Sequence, residues 1–318
     1  MTHEEAQRFA LTTLLPSMGL TGRPFTAAAL PGGGGRTSLH LIRIDSMPPL
    51  LLKAHTQRRH ASKNVEALRH MEALGLPAPR LVFHDLIRGG RFLPGPGPFV
   101  TVETWIEGTA HSSIEDPGAA RDAALKVAAL LARFHEVTRP EWGRPDSTRY
   151  RSFSSFTLQG IRRMSSELLS REWLDAEQGP RIMSCFDSWE KTIGELRPFQ
   201  LVHNDANRHN FVLTPAGQVI AVDLHRLAYE PFVEEVVNAL YHFCRKDEEL
   251  SRLFLLTYLT RAGDAARETF MRTRGFFTPL SYLKKMYRRA TAGAPAAGDE
   301  KMARWRDVVA RIASPGRS

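Results

Sequence analysis

A polar stretch, His-Asn-Asp-Ala-Asn-Arg-His-Asn at residues 203–210, separates two apolar runs of the chain. After it, residues 211–213 and 219–222 are apolar, and Thr-Pro-Ala-Gly at residues 214–217 is typical of a turn. This pattern predicts a hairpin whose second strand ends at Asp223. The polar stretch is therefore expected to be a short loop, followed by a hairpin that delivers a second acidic residue.

A carboxylate, a carboxamide and a second carboxylate across a hairpin suit magnesium-assisted phosphoryl transfer. We expect Asp205 to accept or orient the proton of an attacking hydroxyl group. Asn210 and Asp223 are expected to hold Mg²⁺ on the phosphates of a nucleotide. Taken singly, these acidic residues could be turn or capping residues, but their joint spacing with Asn210 favours metal-assisted chemistry.

The histidines of this region allow a second interpretation. His203 could be a ligand or a base, although fixing the loop backbone is the favoured role and leaves Asp205 as the reacting group. A zinc or iron site built from His209, His225 and Asp223 is the alternative. Their spacing fits no two-histidine, one-carboxylate arrangement better than it fits the magnesium set.

Composition sets the broad class. The chain has 318 residues, with 42% apolar and 24% charged residues, as in soluble globular proteins. No apolar run reaches the length of a membrane span, and the N-terminal residues lack a secretory signal layout. The two cysteines, Cys185 and Cys244, form no disulfide framework or metal spacing. These observations predict a cytoplasmic protein.

The net charge of +9 would suit nucleic acid, an anionic membrane face or a phosphorylated ligand. The basic residues are nevertheless dispersed, and no nucleic-acid motif accompanies them. The densest cluster is Lys-Lys-Met-Tyr-Arg-Arg at residues 284–289. A solvated helix face is the favoured interpretation of that cluster.

The order of predicted elements indicates two lobes. A capping box at Thr2 and Glu5 opens the first helix. Strands and one helix follow up to about residue 105, and beyond Gly108 the patterns are mostly helical. The helical patterns of this second part include residues 158–169, 181–196, 281–289 and 301–312. In chain order, the predicted elements of the first lobe are strands 25–30, 36–44 and 50–54, helix 58–74, and strands 80–86 and 98–105. The sequence thus predicts an α+β fold with a small antiparallel sheet and a helical second lobe.

Lys53 ends an apolar strand, which would place its ammonium group inside a cleft. Glu66, in the following helix, is its predicted partner, and Glu72 is a weaker candidate. An exposed lysine on an edge strand remains the alternative. Four consecutive glycines, Gly32, Gly33, Gly34 and Gly35, could present backbone N–H groups to a phosphate, or simply form a turn.

Two other nucleotide-binding patterns are missing. The chain contains no Gly-x-x-x-x-Gly-Lys-Ser/Thr sequence, so a P-loop is excluded. No Gly-x-Gly-x-x-Gly follows a predicted strand and opens a helix, so the dinucleotide-binding fingerprint is missing as well.

The pattern His-x-Asp-x-x-x-x-Asn at 203–210, with Asp223, Lys53 and the order of elements, resembles the aminoglycoside phosphotransferase and choline kinase family. The resemblance covers about residues 25 to 260. It implies the bilobal protein kinase-like fold, with ATP between lobes spanning residues 1–106 and 107–318. It further implies that Asp205 is the catalytic base and that Lys53 contacts phosphates.

The same resemblance assigns further segments. The backbone from Glu103 to Trp105 would contact adenine, and residues 138–198 would form a substrate-binding insert. Asn204 stands where the family usually has glycine. Leu-His-Arg at residues 224–226 resembles lipopolysaccharide-core sugar kinases, which share the fold. More than sixty residues separate His135 from the loop, which favours the small-molecule branch.

The resulting hypothesis is an ATP- and Mg²⁺-dependent kinase acting on a hydroxyl group of a sugar, amino sugar or amino alcohol. A lipopolysaccharide-core sugar kinase at the inner membrane face and a non-catalytic nucleotide-binding pseudokinase are the alternatives. No nucleic-acid partner and no stable membrane insertion are expected, whereas peripheral membrane contact and the oligomeric state stay open.

Overall fold

The computed structural model describes residues 1–31, 37–86, 98–147, 152–244 and 247–293, together with Trp305 and Val308. By its contacts the chain divides into two compact units. The N-terminal unit is Met1–Val127 with Arg208–Leu227, and the C-terminal unit is Ala128–Asn207 with Ala228–Ser318. The predicted lobes, 1–106 and 107–318, are a functional division that stays a prediction.

A five-stranded sheet forms the centre of the N-terminal unit. All neighbouring strands are antiparallel, in the order β1-β2-β3-β5-β4. The strands are β1 (Phe25–Leu30), β2 (Thr37–Ile44), β3 (Leu50–His55), β4 (Leu81–Asp85) and β5 (Phe99–Thr104). Each lies close to its predicted bounds, because alternating apolar patterns bounded by turn residues report strands directly.

One face of this sheet packs against the N-terminal helical segment. That segment consists of α1 (His3–Phe9), a π-helical turn (Ala10–Leu14) and α2 (Leu15–Ser17). The predicted capping box is present, since Thr2 Oγ1 accepts a hydrogen bond from the Glu5 N–H at 3.2 Å. Buried apolar side chains of the segment and the sheet form one core, which includes Phe9, Leu14, Leu15, Ile42, Leu52, Val100 and Val102.

The opposite face of the sheet is covered by α3 (Arg58–Ala73). Because side chains alternate along a strand, Leu52 and Ala54 enter the apolar core while Lys53 and His55 point to the α3 side. The helix ends as predicted, with Gly75 in a left-handed conformation at φ 62°. The α3 side of the sheet therefore carries buried polar groups.

A second, smaller sheet completes the N-terminal unit. It contains the predicted hairpin, β9 (Phe211–Leu213) and β10 (Val219–Ala221), beside β6 (Thr109–Ala110). Gly108 approaches β9 closely, because a Cβ atom placed there would lie 2.2 Å from the Leu213 carbonyl oxygen. After β10 a 3₁₀ turn (Leu224–Arg226) packs against α3. The hairpin therefore pairs with β6, and the turn that follows it contacts α3.

The C-terminal unit is mainly helical. A three-stranded sheet, ordered β11-β8-β7, consists of β7 (Thr138–Arg139), β8 (Phe199–Val202) and β11 (Ala228–Glu230). The division between the units falls within α4 (Pro117–His135). Its helices within residues 152–293 include α5 (Phe153–Ser170), α6 (Gln178–Asp187), α7 (Glu190–Gly194), α8 (Phe232–Ala239), α9 (Glu248–Ala262) and α10 (Asp264–Thr291). Here α10 packs on α5 and α8.

Two helical predictions need correction. The sequence predicted a helix over residues 281–289, but α10 spans 28 residues, because Gly275 and Pro279 are tolerated inside it. Gly275 lets the Trp189 ring approach, since a Cβ atom there would lie 3.2 Å from Trp189 Cζ2. The single helix predicted over 181–196 is instead α6 and α7.

The predicted α+β class is confirmed, with an antiparallel sheet in the N-terminal part and mostly helices in the C-terminal part. Within the described part of the chain, every helix is too short or too polar to cross a membrane. The last predicted helix, residues 301–312, lies outside the described residues apart from two positions.

Candidate active site

Lys53 forms a buried ion pair within the sheet of the N-terminal unit. Its Nζ lies 2.7 Å from Glu103 Oε1, and the two residues are only 7% and 1% exposed. Lys53 on β3 lies opposite Thr101 on β5. Glu103, two residues further along β5, therefore points to the same face, as a diagonal cross-strand neighbour. The strand register by itself brings the two charges together.

This pairing corrects the predicted partner of Lys53. The sequence favoured Glu66 on α3, whereas the carboxylate bonded to Lys53 belongs to the neighbouring strand. From α3 the contact is an amide, since Asn64 Nδ2 donates to Glu103 Oε2 at 3.0 Å and to Thr101 Oγ1 at 3.3 Å. The buried charges are thus paired and hydrogen-bonded, which offsets much of their desolvation.

The charge of Lys53 is preserved by its surroundings. Burial by itself lowers the pKa of this lysine, but the carboxylates of Glu103 and Asp223 outweigh it, and the net shift is upward. For His55, burial and the neighbouring Lys53 charge lower the pKa to about 4. At neutral pH the polar face of the sheet therefore offers one ammonium group and a neutral imidazole.

Asn210 and Asp223 are brought together by the hairpin. The Val222 N–H donates to the Asn210 carbonyl oxygen at 2.9 Å, so Asn210 lies opposite the residue that precedes Asp223. Asp223 adopts a left-handed conformation at φ 59°, and its Oδ1 lies 2.8 Å from His225 Nδ1. The His225 ring stacks on His60 of α3 with centroids 6.0 Å apart.

The donor set of this hairpin fits a magnesium ion. It consists of an amide oxygen and a half-exposed carboxylate, and Mg²⁺ is usually held by one or two such groups together with substrate phosphates. The described residues contain no cluster of three or more histidine, cysteine or acidic side chains that could hold a metal. The zinc or iron alternative at His209, His225 and Asp223 thus lacks a ligand cluster there.

The loop that carries Asp205 belongs to the C-terminal unit. His203 is completely buried, and its N–H donates to Glu235 Oε2 at 3.1 Å. The Asn204 N–H donates to Glu235 Oε1 at 2.6 Å. The same carboxylate lies 2.9 Å from His135 Nε2. Glu235, on α8, therefore fixes the backbone immediately before Asp205.

Sequence reasoning missed this role of Glu235. An acidic residue in the first turn of a helix is common and usually faces water. A usable signal was its position among apolar residues, Val233, Val236 and Val237, which belong to the buried side of α8. A carboxylate within such an apolar stripe requires a partner inside the protein.

Asp205 is held in place by its own loop. Asn207 Nδ2 donates to Asp205 Oδ1 at 3.2 Å, and the Asn207 N–H donates to the Asp205 carbonyl oxygen at 2.8 Å. Asn204 has φ 64°, a conformation that asparagine tolerates better than most non-glycine residues. Asp205 lines a cavity of about 460 Å³ in the C-terminal unit.

Two predicted nucleotide contacts remain, the glycine stretch and the backbone of residues 103–105. Gly32, Gly33, Gly34 and Gly35 lie outside the described residues. The Thr104 and Trp105 N–H groups donate to the carbonyl oxygens of Arg80 and Pro49, both at 2.9 Å. An adenine contact from the segment Glu103–Trp105 would have to use other backbone groups. The Glu103 side chain forms the ion pair with Lys53.

A family model and several solved structures resemble this chain. Residues 34–272 match the family described as the phosphotransferase enzyme family, APH. No curated protein sequence matches the chain. Among solved structures, a ternary complex of a thermostable mutant of aminoglycoside phosphotransferase APH(4)-Ia with AMP-PNP and hygromycin B superposes with TM-score 0.65, at 14% identity over 96% of this chain and 98% of that chain.

Two further structures share the fold. The choline kinase from Cryptosporidium parvum Iowa II has TM-score 0.60, at 14% identity over 91% of this chain and 88% of that chain. ADP-bound aminoglycoside phosphotransferase APH(2'')-Ib has TM-score 0.59, at 13% identity over 95% and 97%. These likenesses confirm the predicted kinase-like fold.

Proposed function

The chain belongs to the phosphotransferase enzyme family, and on that premise we propose that it transfers the γ-phosphate of ATP to a hydroxyl group of a small molecule. The observation that carries this proposal is the fixed position of Asp205 at the wall of a cavity of about 460 Å³. Ligand-binding cavities of proteins are typically about 300 to 1,000 Å³. The acceptor is therefore a small molecule, such as a sugar, an amino sugar or an amino alcohol.

Each residue of the site has a proposed role. Asp205 accepts the proton of the acceptor hydroxyl, and Asn207 with Glu235 positions it. Lys53, held by Glu103, contacts nucleotide phosphates. Asn210 and Asp223 would hold Mg²⁺, which neutralises phosphate charge when bound. His203 anchors the loop and does not itself react.

A nucleotide as phosphate donor is supported by the structural neighbours. Two of those described above were solved with AMP-PNP or ADP. Lys53 supports nucleotide binding by this chain, because its raised pKa keeps the side chain positively charged at neutral pH.

The test is ATP consumption in the presence of a panel of hydroxyl compounds, with Asp205→Asn as the key variant. Loss of a positioned general base lowers kcat by about 10² to 10⁴-fold. Asp187→Asn is the matched control, because Asp187 lies in an exposed ion pair with Arg162. Full activity of Asp205→Asn would contradict the proposed chemistry.

A second arm tests the nucleotide site. We expect Lys53→Met to weaken ATP binding measured by calorimetry, whereas Lys126→Met, at an exposed ion pair with Asp122, leaves it unchanged. Equal ATP affinity of the two variants would show that Lys53 does not belong to the nucleotide site. ATP binding without phosphate transfer to any acceptor would contradict enzymatic activity.

A further inference from the structure

The basic cluster of residues 284–289 lines the cavity that Asp205 borders. Lys284, Lys285, Arg288 and Arg289 all contribute to its wall. They lie on α10, which packs against α8. The favoured sequence interpretation was a solvated helix face; the structure adds that these four residues face the space beside the proposed catalytic base.

The acidic residues of the same cavity are already engaged. Both carboxylate oxygens of Glu234 accept hydrogen bonds from Lys284 Nζ, at 2.6 and 2.7 Å. Glu235 accepts the N–H groups of the Asp205 loop and is buried. The carboxylates of Glu234 and Glu235 are therefore occupied by partners within the protein, and a cationic ligand would have to displace those partners.

Lys285 is hydrogen-bonded at the cavity wall. Its Nζ donates to Asn238 Oδ1 at 2.6 Å and to Ser281 Oγ, and it lies 4.4 Å from the centroid of the Tyr241 ring. Burial lowers the pKa of Lys285 to about 8, with Glu234 acting in the opposite direction. Arg288 and Lys284 contribute further to the lowering. An additional negative charge in the cavity would relieve this repulsion.

We propose that this cavity selects an acceptor that carries an anionic group, a phosphate or a carboxylate, in addition to its reactive hydroxyl. This inference rests on the proposed function, because it assigns the acceptor class to the cavity beside Asp205. Arginine binds both anions through paired N–H groups, and Arg288 is exposed at this wall. A polyamine acceptor meets like charges at the same wall.

The reaction is balanced without a further reactant. The acceptor oxygen forms a bond to the γ-phosphorus of ATP, and the bond between that phosphorus and the β–γ bridging oxygen breaks. The hydroxyl proton passes to the Asp205 carboxylate, and ADP leaves. The anionic group of the acceptor stays intact and serves only to hold the molecule.

The experiment compares four hexoses that differ in charge: a neutral hexose, its amino sugar, its uronic acid and its phosphate ester. Binding to the full chain is measured by calorimetry, and phosphate transfer from ATP is measured separately as kcat/KM. We expect at least one of the two anionic sugars to bind about tenfold or more tightly than the neutral and amino sugars. The two anionic arms show whether phosphate or carboxylate is the preferred group.

Two variants test whether the cavity side chains cause the preference for anionic sugars. Arg288→Gln should lower the affinity for the anionic sugar about tenfold while leaving that for the neutral hexose unchanged. Because Arg288 is exposed, this variant is expected to fold normally. Arg274→Gln is the matched control, on the same helix but outside the cavity lining. Lys285→Gln provides a second, more buried test at the same wall.

The outcomes separate the two proposals. Equal or tighter binding of the neutral or amino sugar, or an anion preference that survives both cavity variants, would overturn the anionic acceptor. Transfer to neutral or amino sugars with the highest kcat/KM would also overturn it, yet leave the kinase activity standing. Binding of the anionic sugars through Arg288 without any transfer from ATP would instead contradict the proposed function.

Discussion

Glu235 shows how a single side chain can fix the proposed catalytic base, Asp205, through the backbone of the residues before it. Its two carboxylate oxygens accept the N–H groups of consecutive residues, His203 and Asn204, just before Asp205. His135 contacts the same carboxylate and also lies 2.7 Å from the Tyr258 hydroxyl. The base of the loop is therefore a buried network rather than one hydrogen bond.

We predict that Glu235→Gln lowers both stability and activity. The glutamine amide places a donor where the wild-type carboxylate accepts a backbone N–H, leaving a buried group unsatisfied at a cost of about 1–3 kcal/mol. Urea unfolding measures the stability, and kcat measures the displacement of Asp205. Glu248→Gln, at an exposed position in α9, is the control. A variant with unchanged unfolding and kcat would show that the network is dispensable.

At the residue scale, the sequence was informative where chemistry depends on local spacing. Asn210 and Asp223 lie on one hairpin, so the structure brings them together as their spacing predicts. The partner of Lys53 was predicted wrongly, because it depends on the register of β3 against β5, two strands that are separated in the chain by α3 and β4. Such long-range pairing leaves no local pattern in the sequence.

At the scale of elements, Gly108 fixes how β6 meets the hairpin. The Leu213 carbonyl lies so close to Gly108 that no side chain fits there. The φ angle of Gly108, 146°, is also one that other residues rarely adopt. The hairpin carries Asn210 and leads into Asp223, so the fit at Gly108 bears on the proposed metal ligands.

We predict that Gly108→Ala destabilises the protein by about 3 kcal/mol or more, because the new Cβ combines overpacking with backbone strain. Thermal and urea unfolding measure this loss. Gly160→Ala in α5 is the matched control: a Cβ atom added there would meet no heavy atom within 4 Å beyond its own helix backbone, and alanine favours a helix by about 1 kcal/mol. Similar effects at both sites would contradict the steric argument.

The elements themselves were predictable where periodicity is uninterrupted. The strands of the large sheet and helix α3 follow their sequence patterns closely. The first half of α10 was missed, because Gly275 and Pro279 usually interrupt helices. Their tolerance comes from tertiary packing, including the ring of Trp189 against Gly275, and a single sequence does not reveal such packing.

At the scale of the whole molecule, stability is expected to depend on the ionisation of Glu230. Burial raises the pKa of this glutamate from 4.5 to about 7, with Lys284 acting against the shift and Glu234 adding to it. Asn204, in the loop before Asp205, acts against the upward pKa shift by favouring the ionised form of Glu230. The folded chain therefore holds this proton over a pH range in which the unfolded chain releases it.

The sign of the effect follows from proton linkage. Between pH 4.5 and about 7 the folded state binds more protons at Glu230 than the unfolded state, so its contribution to stability falls as pH rises. We predict that Glu230→Gln removes this loss and gains up to about 3 kcal/mol relative to wild type above pH 7. Unfolding measured from pH 4 to pH 8 tests it. A difference between wild type and variant that does not change with pH would contradict the prediction.

The ion pair of Lys53 and Glu103 also bears on how the large sheet assembles. If β3 were shifted by one residue against β5, each of its side chains would point to the opposite face of the sheet. Lys53 would then enter the apolar core that now contains Leu52. A lysine buried there without its carboxylate costs several kcal/mol. Misaligned sheets are thereby disfavoured, so the charge pair proposed to serve the nucleotide also discriminates between correct and incorrect strand alignments during folding.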